Sequence, residues 1–391
     1  MAFRLVTSLC LVAGLFWLGC DSGGLQPPDS APSDAPPLSN LTCNRPQSET
    51  VPLQDIDPDE VVDVMQRVRQ FHTRHILVYT PRDRYNKWID CAMYTGLTAA
   101  YRATGDEVYL DSTQAWAERV DWQLGPRETH ADDHCVGQVY LEMHQERPDV
   151  ADIQPTLTGM RAVVDRGEDG AKIWDWVDAL YMAPPVLSRM SAITGSSRPM
   201  DFMAHRFQQA SLPLYDVSYG LYYRDLRFID QESPNGEKVF WSRGNGWVFA
   251  GIARVLQDIP EDHETRPWFE NRFQEMAEAI ACTQQPSGFW RPSMIDAAAY
   301  PQPETSGTGF FTYALAWGIN EGLLSRDTYG PVVSRAWKGM VRESVNEEGR
   351  VGWVQQPGDR PASVDRAHAE PYGAGAFLLA GSQMKLLVEA Q

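Results

Sequence analysis

Two aspartates stand three residues apart, Asp175 and Asp178, between tryptophans and a tyrosine in the segment KIWDWVDALYM, residues 172–182. A carboxyl group in apolar surroundings keeps its proton to a higher pH than one in water, so it can act as a general acid near neutral pH. Pro184 and Pro185 suit the first turn of a helix, since prolines deeper in a helix remove backbone hydrogen bonds. This spacing favours Asp178 as an acid one turn before that helix. The alternative is that either aspartate only caps the helix.

A second acid-bearing segment, ADDHCVGQVYLEMH, begins at Ala131 and opens another apolar stretch. Asp132 and Asp133 are adjacent, so they cannot both point inward, and we expect one to cap and one to do chemistry. His134 is either a ligand or base, or a structural partner of an acid. Since no second histidine stands at metal-ligand spacing, the sequence predicts neither a catalytic metal nor another cofactor.

A third segment, FWSRGNGWVFAG, places Trp241, Arg243 and Trp247 around a glycine-rich turn. Indole faces pack on the apolar faces of sugar rings, and a guanidinium can bind a carboxylate through two parallel hydrogen bonds. The segment therefore suits an acidic sugar. The alternative is that the tryptophans belong to the core and Arg243 forms a structural ion pair.

The elements that must position these residues follow a repeated pattern. Apolar spacing in stretches such as 59–75 and 107–124 predicts amphipathic helices, and alternating strand patterns are few. Six further segments share a polar or acidic start, a small residue within a turn and then an apolar helix; they begin at Trp88, Asp132, Trp176, Ser242, Glu304 and Glu370. Six buried helices inside six amphipathic ones predict an all-α fold, an (α/α)6 barrel of six helical hairpins. The polar starts would then meet at one mouth.

The glycines near these helix starts have two possible roles. They can let the helices pack closely, or they can expose backbone N–H groups to a ligand. Both roles stay open for the five that we single out, namely Gly137, Gly244, Gly246, Gly307 and Gly309.

The balance of charge restricts the partners. The chain has 52 acidic and 34 basic residues and a formal net charge of −18. Because such a charge repels polyanions, we expect no nucleic-acid partner, and an anionic ligand would need a local cationic pocket.

The N-terminal residues predict export. One arginine and a short apolar run lead to Leu18-Gly19-Cys20, which resembles a bacterial lipoprotein cleavage site, with Trp17 where that pattern prefers leucine. We expect a signal peptide over 1–19, a lipid-anchored flexible tether over 20–45 that begins at an acylated Cys20, and a catalytic domain over 46–391. We expect a membrane-anchored bacterial lipoprotein in the periplasm or at the cell surface, with simple secretion as the alternative.

The remaining cysteines leave one question open. If Cys10 is removed with the signal peptide and the thiol of Cys20 is acylated, four thiols remain in the mature chain, at Cys43, Cys91, Cys135 and Cys282. They contain no CxxC pair, which makes a zinc site improbable. An exported location permits a disulfide without proving one.

Five segments in order resemble a known family: ADDHCVGQ, WVDALYMAPP, WSRGNGWV, SGFWRPSM and ETSGTGFFTYALAWGINEGLL. Over residues 58–388 the chain is similar to the unsaturated glucuronyl and rhamnogalacturonyl hydrolases, glycoside hydrolase families 88 and 105, and looks closer to 105. The resemblance implies an (α/α)6 barrel, Asp178 as general acid and base, and Asp133 as a second important aspartate. Where some members carry a histidine, LYYRDLRF has Arg224, which leaves a histidine-assisted role in doubt. The predicted substrate-binding residues are Arg243, Trp247, Trp241, His134, Arg224 and Trp88.

The resemblance also implies the substrate and the chemistry. The partner would be an oligosaccharide ending in a 4,5-unsaturated uronic acid, and protonation of C4 followed by addition of water at C5 would release the aglycone indirectly. Three alternatives remain open: another carbohydrate enzyme of this fold, such as a polysaccharide lyase or a sugar epimerase, a non-catalytic sugar-binding lipoprotein, and a structural surface protein.

Overall fold

The structure is a computed structural model that describes residues 38–41, 43, 52–79, 87–168 and 173–390. The predicted signal peptide, Cys20 and most of the predicted tether lie outside these residues. The described part contains fourteen α-helices. In chain order they are α1 (Pro58–Tyr79), α2 (Trp88–Thr104), α3 (Val108–Arg119), α4 (Ala131–His134), α5 (Val136–Glu146), α6 (Gln154–Glu168), α7 (Ala179–Met182), α8 (Pro184–Thr194), α9 (Arg198–Leu214), α10 (Ser242–Leu256), α11 (Arg266–Thr283), α12 (Thr305–Asn320), α13 (Arg326–Glu343) and α14 (Pro371–Glu389).

The apolar helices form an inner ring, and the amphipathic ones form an outer ring. Around the inner ring, α2 packs on α5, α5 on α8, α8 on α10, α10 on α12 and α12 on α14, and α14 returns to α2. Every residue of α10 is buried, as expected for a helix that is apolar nearly all round. All six segments singled out by their polar starts lead into this ring. The predicted all-α (α/α)6 barrel is confirmed.

Strand structure is slight in the described residues. Two short antiparallel strands, β1 (Tyr215–Asp216) and β2 (Leu221–Tyr222), form a hairpin between α9 and α10. The helix predicted over 107–124 ends earlier, at Arg119, because Asp121 and Trp122 take positive φ values of 51° and 56°. None of the described helices is both long and apolar enough to cross a membrane.

Close backbone contact closes the ring where α14 meets α2. A Cβ atom on Gly375 would overlap the carbonyl group of Ala92, and one on Gly96 would lie 2.6 Å from the carbonyl oxygen of Gly375. Neither position can hold a larger residue without moving a helix, so the two glycines set how near the first and last inner helices approach.

A buried ionic cluster joins four inner helices, α2, α5, α8 and α10. The carboxylate of Glu142 in α5 accepts hydrogen bonds from Arg189 of α8, from Arg254 of α10 at 2.7 Å and from the Thr98 hydroxyl at 2.5 Å. Burial alone would raise the pKa of Glu142, but the arginines more than offset it and hold the pKa at about 2. The sequence analysis missed this cluster, because its members lie far apart along the chain.

Two disulfide bonds answer the question that the sequence left open. Cys91 is bonded to Cys135, which joins the start of α2 to the junction of α4 and α5. Cys43 is bonded to Cys282 at the end of α11, and the backbone N–H of Asn40 donates to the carbonyl of Ser218 at 3.1 Å. Asn40 and Cys43 are therefore attached to the barrel.

Candidate active site

The backbone around Asp178 is fixed from both sides. Trp174 is buried and has a positive φ of 60°, which turns the chain into the segment that carries the aspartate. Directly before the aspartate, the N–H of Val177 donates to the carbonyl of Arg224 at 2.9 Å. Directly after it, α7 begins at Ala179, and α8 begins at Pro184, as the two prolines predicted. Asp178 makes no side-chain capping bond, so the capping alternative is not supported for it.

The carboxyl group of Asp178 lies in a protected but charged environment. Its side chain is only 14% exposed, and the Nε atom of Arg224 lies 3.2 Å from one carboxyl oxygen. Burial raises the pKa of Asp178, and the negative charge of Asp132 raises it further, while Arg224 and Arg243 lower it. The net shift is upward, which is the direction that a general acid needs.

Arg224 belongs to a chain of ion pairs on the segment LYYRDLRF. One terminal nitrogen of Arg224 donates to Asp225 at 2.7 Å, and Asp225 also accepts three hydrogen bonds from Arg227. Arg227 reaches Asp359 at 2.9 Å. The guanidinium of Arg224 is thus held beside Asp178 and remains partly exposed, which makes it available to an anionic ligand.

The structure places Arg243, a predicted substrate-binding residue, against a neighbouring loop. It is buried, and its two terminal nitrogens donate to the carbonyl groups of Gln355 and Gln356 at 2.6 and 3.0 Å. The indole nitrogen of Trp241 donates to the side chain of Gln355 at 3.0 Å. The arginine and Trp241 therefore hold the 355–356 loop, and of the two arginines predicted to bind the substrate carboxylate only Arg224 has the necessary exposure.

Two of the predicted tryptophans, Trp88 and Trp247, belong to one aromatic group, with ring centroids 6.2 Å apart. Trp247 is fully buried against Tyr181 and Phe310, so its faces are not open to a sugar. Trp88 is partly exposed and stacks on Tyr372, with ring centroids 5.2 Å apart. Of the three predicted tryptophans, Trp88 alone keeps accessible surface for stacking.

His134 has a structural role. It is buried, its Nε2 atom lies 2.9 Å from the carbonyl oxygen of Glu128, and burial lowers its pKa to about 4. A neutral, enclosed imidazole cannot touch a substrate in this arrangement. The structural alternative is therefore favoured for His134 over the ligand or base.

Asp133 is also enclosed. Its carboxylate accepts three hydrogen bonds from Arg127, at 2.5, 2.8 and 3.0 Å, and its side chain is 1% exposed. Burial alone would raise the pKa of Asp133, but the hydrogen bonds from Arg127 outweigh burial and lower it. The structure thus buries Asp133 against Arg127, so its carboxylate is not open to a ligand.

The helix-start glycines serve packing. The N–H of Gly307 donates to the buried carboxylate of Glu304 at 2.6 Å, so it is not offered to a ligand. Glu304 also accepts from the N–H of Gln355, which links the start of α12 to the loop held by Arg243. Cβ atoms on Gly246 and Gly309 would meet α12 and α14 respectively.

No group of three or more histidine, cysteine, aspartate or glutamate side chains could hold a metal ion within the described ranges. The groups around Asp178 and Arg224 are carboxylates and guanidiniums, which can donate protons and bind anions.

Comparison with known proteins identifies the family. The model of Glycosyl Hydrolase Family 88 matches residues 61–387. The chain belongs to this family. It is therefore a glycoside hydrolase, as the five family-like segments of the sequence predicted. A curated relative from Formosa agariphila, named unsaturated 3S-rhamnoglycuronyl hydrolase, is 36% identical over 85% of this chain and 93% of its own length.

Solved structures share the barrel. A family 88 glycosyl hydrolase from Bacteroides vulgatus is 32% identical, with a TM-score of 0.78, over 85% of this chain and all of its own. Another structure with the same identity and TM-score, covering 85% of this chain and 99% of its own, is described as a polysaccharide lyase.

Proposed function

We propose that this protein hydrolyses oligosaccharides that end in a 4,5-unsaturated uronic acid, with Asp178 as the proton donor. Membership of family 88 and the name of the Formosa agariphila relative support the substrate class. The observation that carries the mechanism is the position of Asp178, a protected carboxyl group with a raised pKa beside the accessible cation Arg224. An uronate linked to rhamnose is the first substrate to assay.

The chemistry uses the double bond of the substrate. In a 4,5-unsaturated uronic acid, C4 and C5 form a vinyl ether with the ring oxygen. Transfer of the Asp178 proton to C4 leaves a positive, oxocarbenium-like centre at C5, and water adds there while its proton returns to Asp178. The resulting hemiketal opens, and the aglycone leaves. General acid and base action of this kind contributes about a hundredfold to ten-thousandfold to the rate.

Arg224 suits the carboxylate of the uronic acid. Its guanidinium is partly exposed, and it is held in place by Asp225. A charge-assisted pair would orient the sugar so that C4 faces Asp178, which lies within hydrogen-bond distance of the same arginine.

The isotopic composition of the product tests the mechanism. Hydration in deuterated water must place deuterium at C4 and solvent oxygen at C5, whereas direct glycosidic hydrolysis, which uses two carboxylates across the bond, places solvent oxygen at C1. We expect deuterium at C4, and a folded Asp178→Asn variant with activity lower by about a hundredfold or more, since an amide cannot transfer the proton. A product without deuterium at C4 would refute the hydration chemistry, and near-normal rates in the variant would remove Asp178 from it.

A polysaccharide lyase is the second candidate, because one similar structure is described as such. A lyase creates the unsaturated bond, and the proposed hydrolase removes it. Ultraviolet absorbance separates the two: we expect lyase-generated oligosaccharides to lose absorbance and intact acidic polysaccharides to gain none.

A lipid anchor completes the proposal. Leu18-Gly19-Cys20 and the polar segment after it support export and acylation at Cys20, which would hold the enzyme at a periplasmic or surface membrane. The two disulfides suit an exported protein, since disulfides persist in oxidising compartments.

A further inference from the structure

The short helix that follows Asp178 cannot complete its hydrogen bonds with its own backbone. α7 has only four residues, and the N–H groups of Tyr181 and Met182 donate to the carbonyl of Asp178 at 3.1 and 3.3 Å. Two prolines open the next helix, and a proline has no N–H to donate to the carbonyl four residues earlier. The carbonyl groups of Leu180 and Tyr181 therefore lack their usual helical partners.

Gln138 of α5 supplies a donor to this turn. It is buried, and its side-chain nitrogen donates to the carbonyl of Tyr181 at 2.7 Å and to that of Met182 at 3.3 Å. The N–H of Val186, four residues after Met182, donates to Ala183 at 3.0 Å instead. Because a buried carbonyl without a hydrogen bond is unfavourable, Gln138 stabilises α7 in the conformation that holds Asp178.

The side chain of Gln138 is itself held in one orientation. Its oxygen accepts a hydrogen bond from Nε of Arg254 at 2.6 Å, and Arg254 also donates to Glu142 at 2.7 Å. Since a guanidinium can only donate, the amide oxygen must face Arg254 and the amide nitrogen must face α7. The buried ionic cluster around Glu142 thus fixes the donor that completes the turn after Asp178.

Close packing restricts α7 further. A Cβ atom on Gly251 of α10 would lie 2.4 Å from the carbonyl oxygen of Leu180, so the two backbones are in direct contact. The hydroxyl of Tyr181 lies 2.9 Å from that of Thr95 in α2. Contacts with α2, α5 and α10 therefore set the position of the turn that carries the acid, and among the hydrogen bonds from α5 those of Gln138 reach its backbone.

We propose that Gln138 is a positioning residue for proton transfer by Asp178: its amide completes the hydrogen bonds of α7 and so fixes where the Asp178 carboxyl group stands relative to C4 of the sugar. This inference rests on the proposed function. Gln138 is buried, and its hydrogen bonds go to backbone carbonyls and to Arg254, so it acts through α7 rather than on the substrate. Its loss should therefore affect the rate of the reaction more than binding.

Gln284 offers a matched control, because it makes the same kinds of contact elsewhere in the barrel. It is also buried, its side-chain nitrogen donates to the carbonyls of Gly288 and Val332 at 2.9 and 3.0 Å, and its oxygen accepts from Arg335 at 2.7 Å. These contacts join the end of α11 to α13 and do not involve α7. Methionine has a similar length and no hydrogen to donate, so it removes the same interactions from either position.

Steady-state kinetics of Gln138→Met and Gln284→Met on unsaturated oligosaccharides test the proposal, at a temperature well below the melting temperature of both variants. We expect both to melt at lower temperature than the wild type, since each leaves buried carbonyls unpaired. Gln138→Met should also lower kcat by about tenfold to a hundredfold with KM nearly unchanged, because a displacement of about 1 Å can cost about a hundredfold in rate. Gln284→Met should keep the wild-type kcat.

Gln138→Glu tests the donor alone and serves if Gln138→Met does not fold. A glutamate has nearly the same size and can still accept from Arg254, but its carboxylate has no hydrogen to donate to Tyr181 or Met182. Above neutral pH we expect a lower kcat in this variant as well, again with KM nearly unchanged.

The outcomes separate this inference from the proposed function. A wild-type enzyme without activity on unsaturated oligosaccharides would overturn the function itself. An active wild type whose kcat is retained in folded Gln138→Met or Gln138→Glu would overturn the role of Gln138 alone. An equal loss of kcat in Gln284→Met would also overturn it, because general destabilisation would then explain both variants.

Discussion

Arg224 is the residue on which the charge balance of the site depends most. It contacts Asp178 and Asp225, and its charge lowers the pKa of Asp178 against the effect of burial. It cannot exchange protons near neutral pH, because a guanidinium stays charged. We therefore assign it to binding and orientation.

Replacement of Arg224 by alanine should weaken substrate capture. Loss of a charge-assisted pair with a substrate carboxylate costs about 2 to 5 kcal/mol if the pair is buried, which lowers kcat/KM by roughly 30-fold to several thousandfold. Removal of the positive charge also raises the pKa of Asp178, so the fall in activity that accompanies ionisation of Asp178 should move to higher pH. Steady-state kinetics across pH measures both effects.

Arg243→Ala is the matched control for Arg224→Ala. Since Arg243 is buried and holds the carbonyl groups of the 355–356 loop, we expect its loss to reduce stability first, seen as a lower melting temperature. Kinetics like those of the wild type in Arg224→Ala would contradict the assignment of Arg224.

At the scale of elements, the site is assembled from helix starts that are tied to their neighbours. The Cys91–Cys135 bond ties the start of α2 to the α4 segment that carries Asp132. The Cys43–Cys282 bond lies at the end of α11 and attaches Cys43. The two bonds thus offer a comparison between a crosslink beside the site and one at the N-terminal attachment.

Removal of the Cys91–Cys135 bond should affect catalysis as well as stability. A double replacement of Cys91 and Cys135 by alanine is expected to lower the free energy of unfolding by about 2 to 4 kcal/mol and to lower kcat, because α4 is no longer fixed against α2. The corresponding Cys43 and Cys282 double variant should lose stability with kcat unchanged. Denaturant unfolding and kinetics at one pH measure both. Equal kcat in the two variants would show that packing alone positions α4.

At the scale of the whole molecule, the chain combines a closed ring of inner helices with an excess of acidic residues. The formal net charge of −18 makes a binding site for an anionic sugar depend on local cations such as Arg224 rather than on the overall field. The Cys43–Cys282 bond attaches Cys43 to the barrel at the end of α11.

Acylation at Cys20 can be tested directly by labelling. In a bacterial host, metabolic labelling with a fatty acid should mark the wild-type protein, and Cys20→Ala should remove the label and release the protein from the membrane fraction. Activity of the released enzyme should match that of the wild type, because Cys20 precedes the barrel. Equal labelling of the two proteins, or none in either, would rule out acylation at Cys20.

The sequence by itself determined the architecture and the position of Asp178 shortly before a helix. The six inner helices could be read from polar starts followed by apolar runs, because a helix that is apolar all round must be buried. Pro184 and Pro185 predicted a helix that begins shortly after Asp178, because proline fits best in the first turn of a helix. The inner helices and the helix start at Pro184 depend on residues that are close together in the chain, so local sequence patterns predict them.

Only the tertiary structure decided which polar side chains face the site. Asp132 and Asp133 are adjacent in sequence, yet Arg127 encloses one of them and leaves the other exposed to the field of Arg224. Arg243 lies in the segment that resembles a binding motif, but its hydrogen bonds go to carbonyl groups more than a hundred residues away. Hydrogen bonds and burial between distant segments leave no periodic trace in the sequence, so they appear only when the inner ring closes.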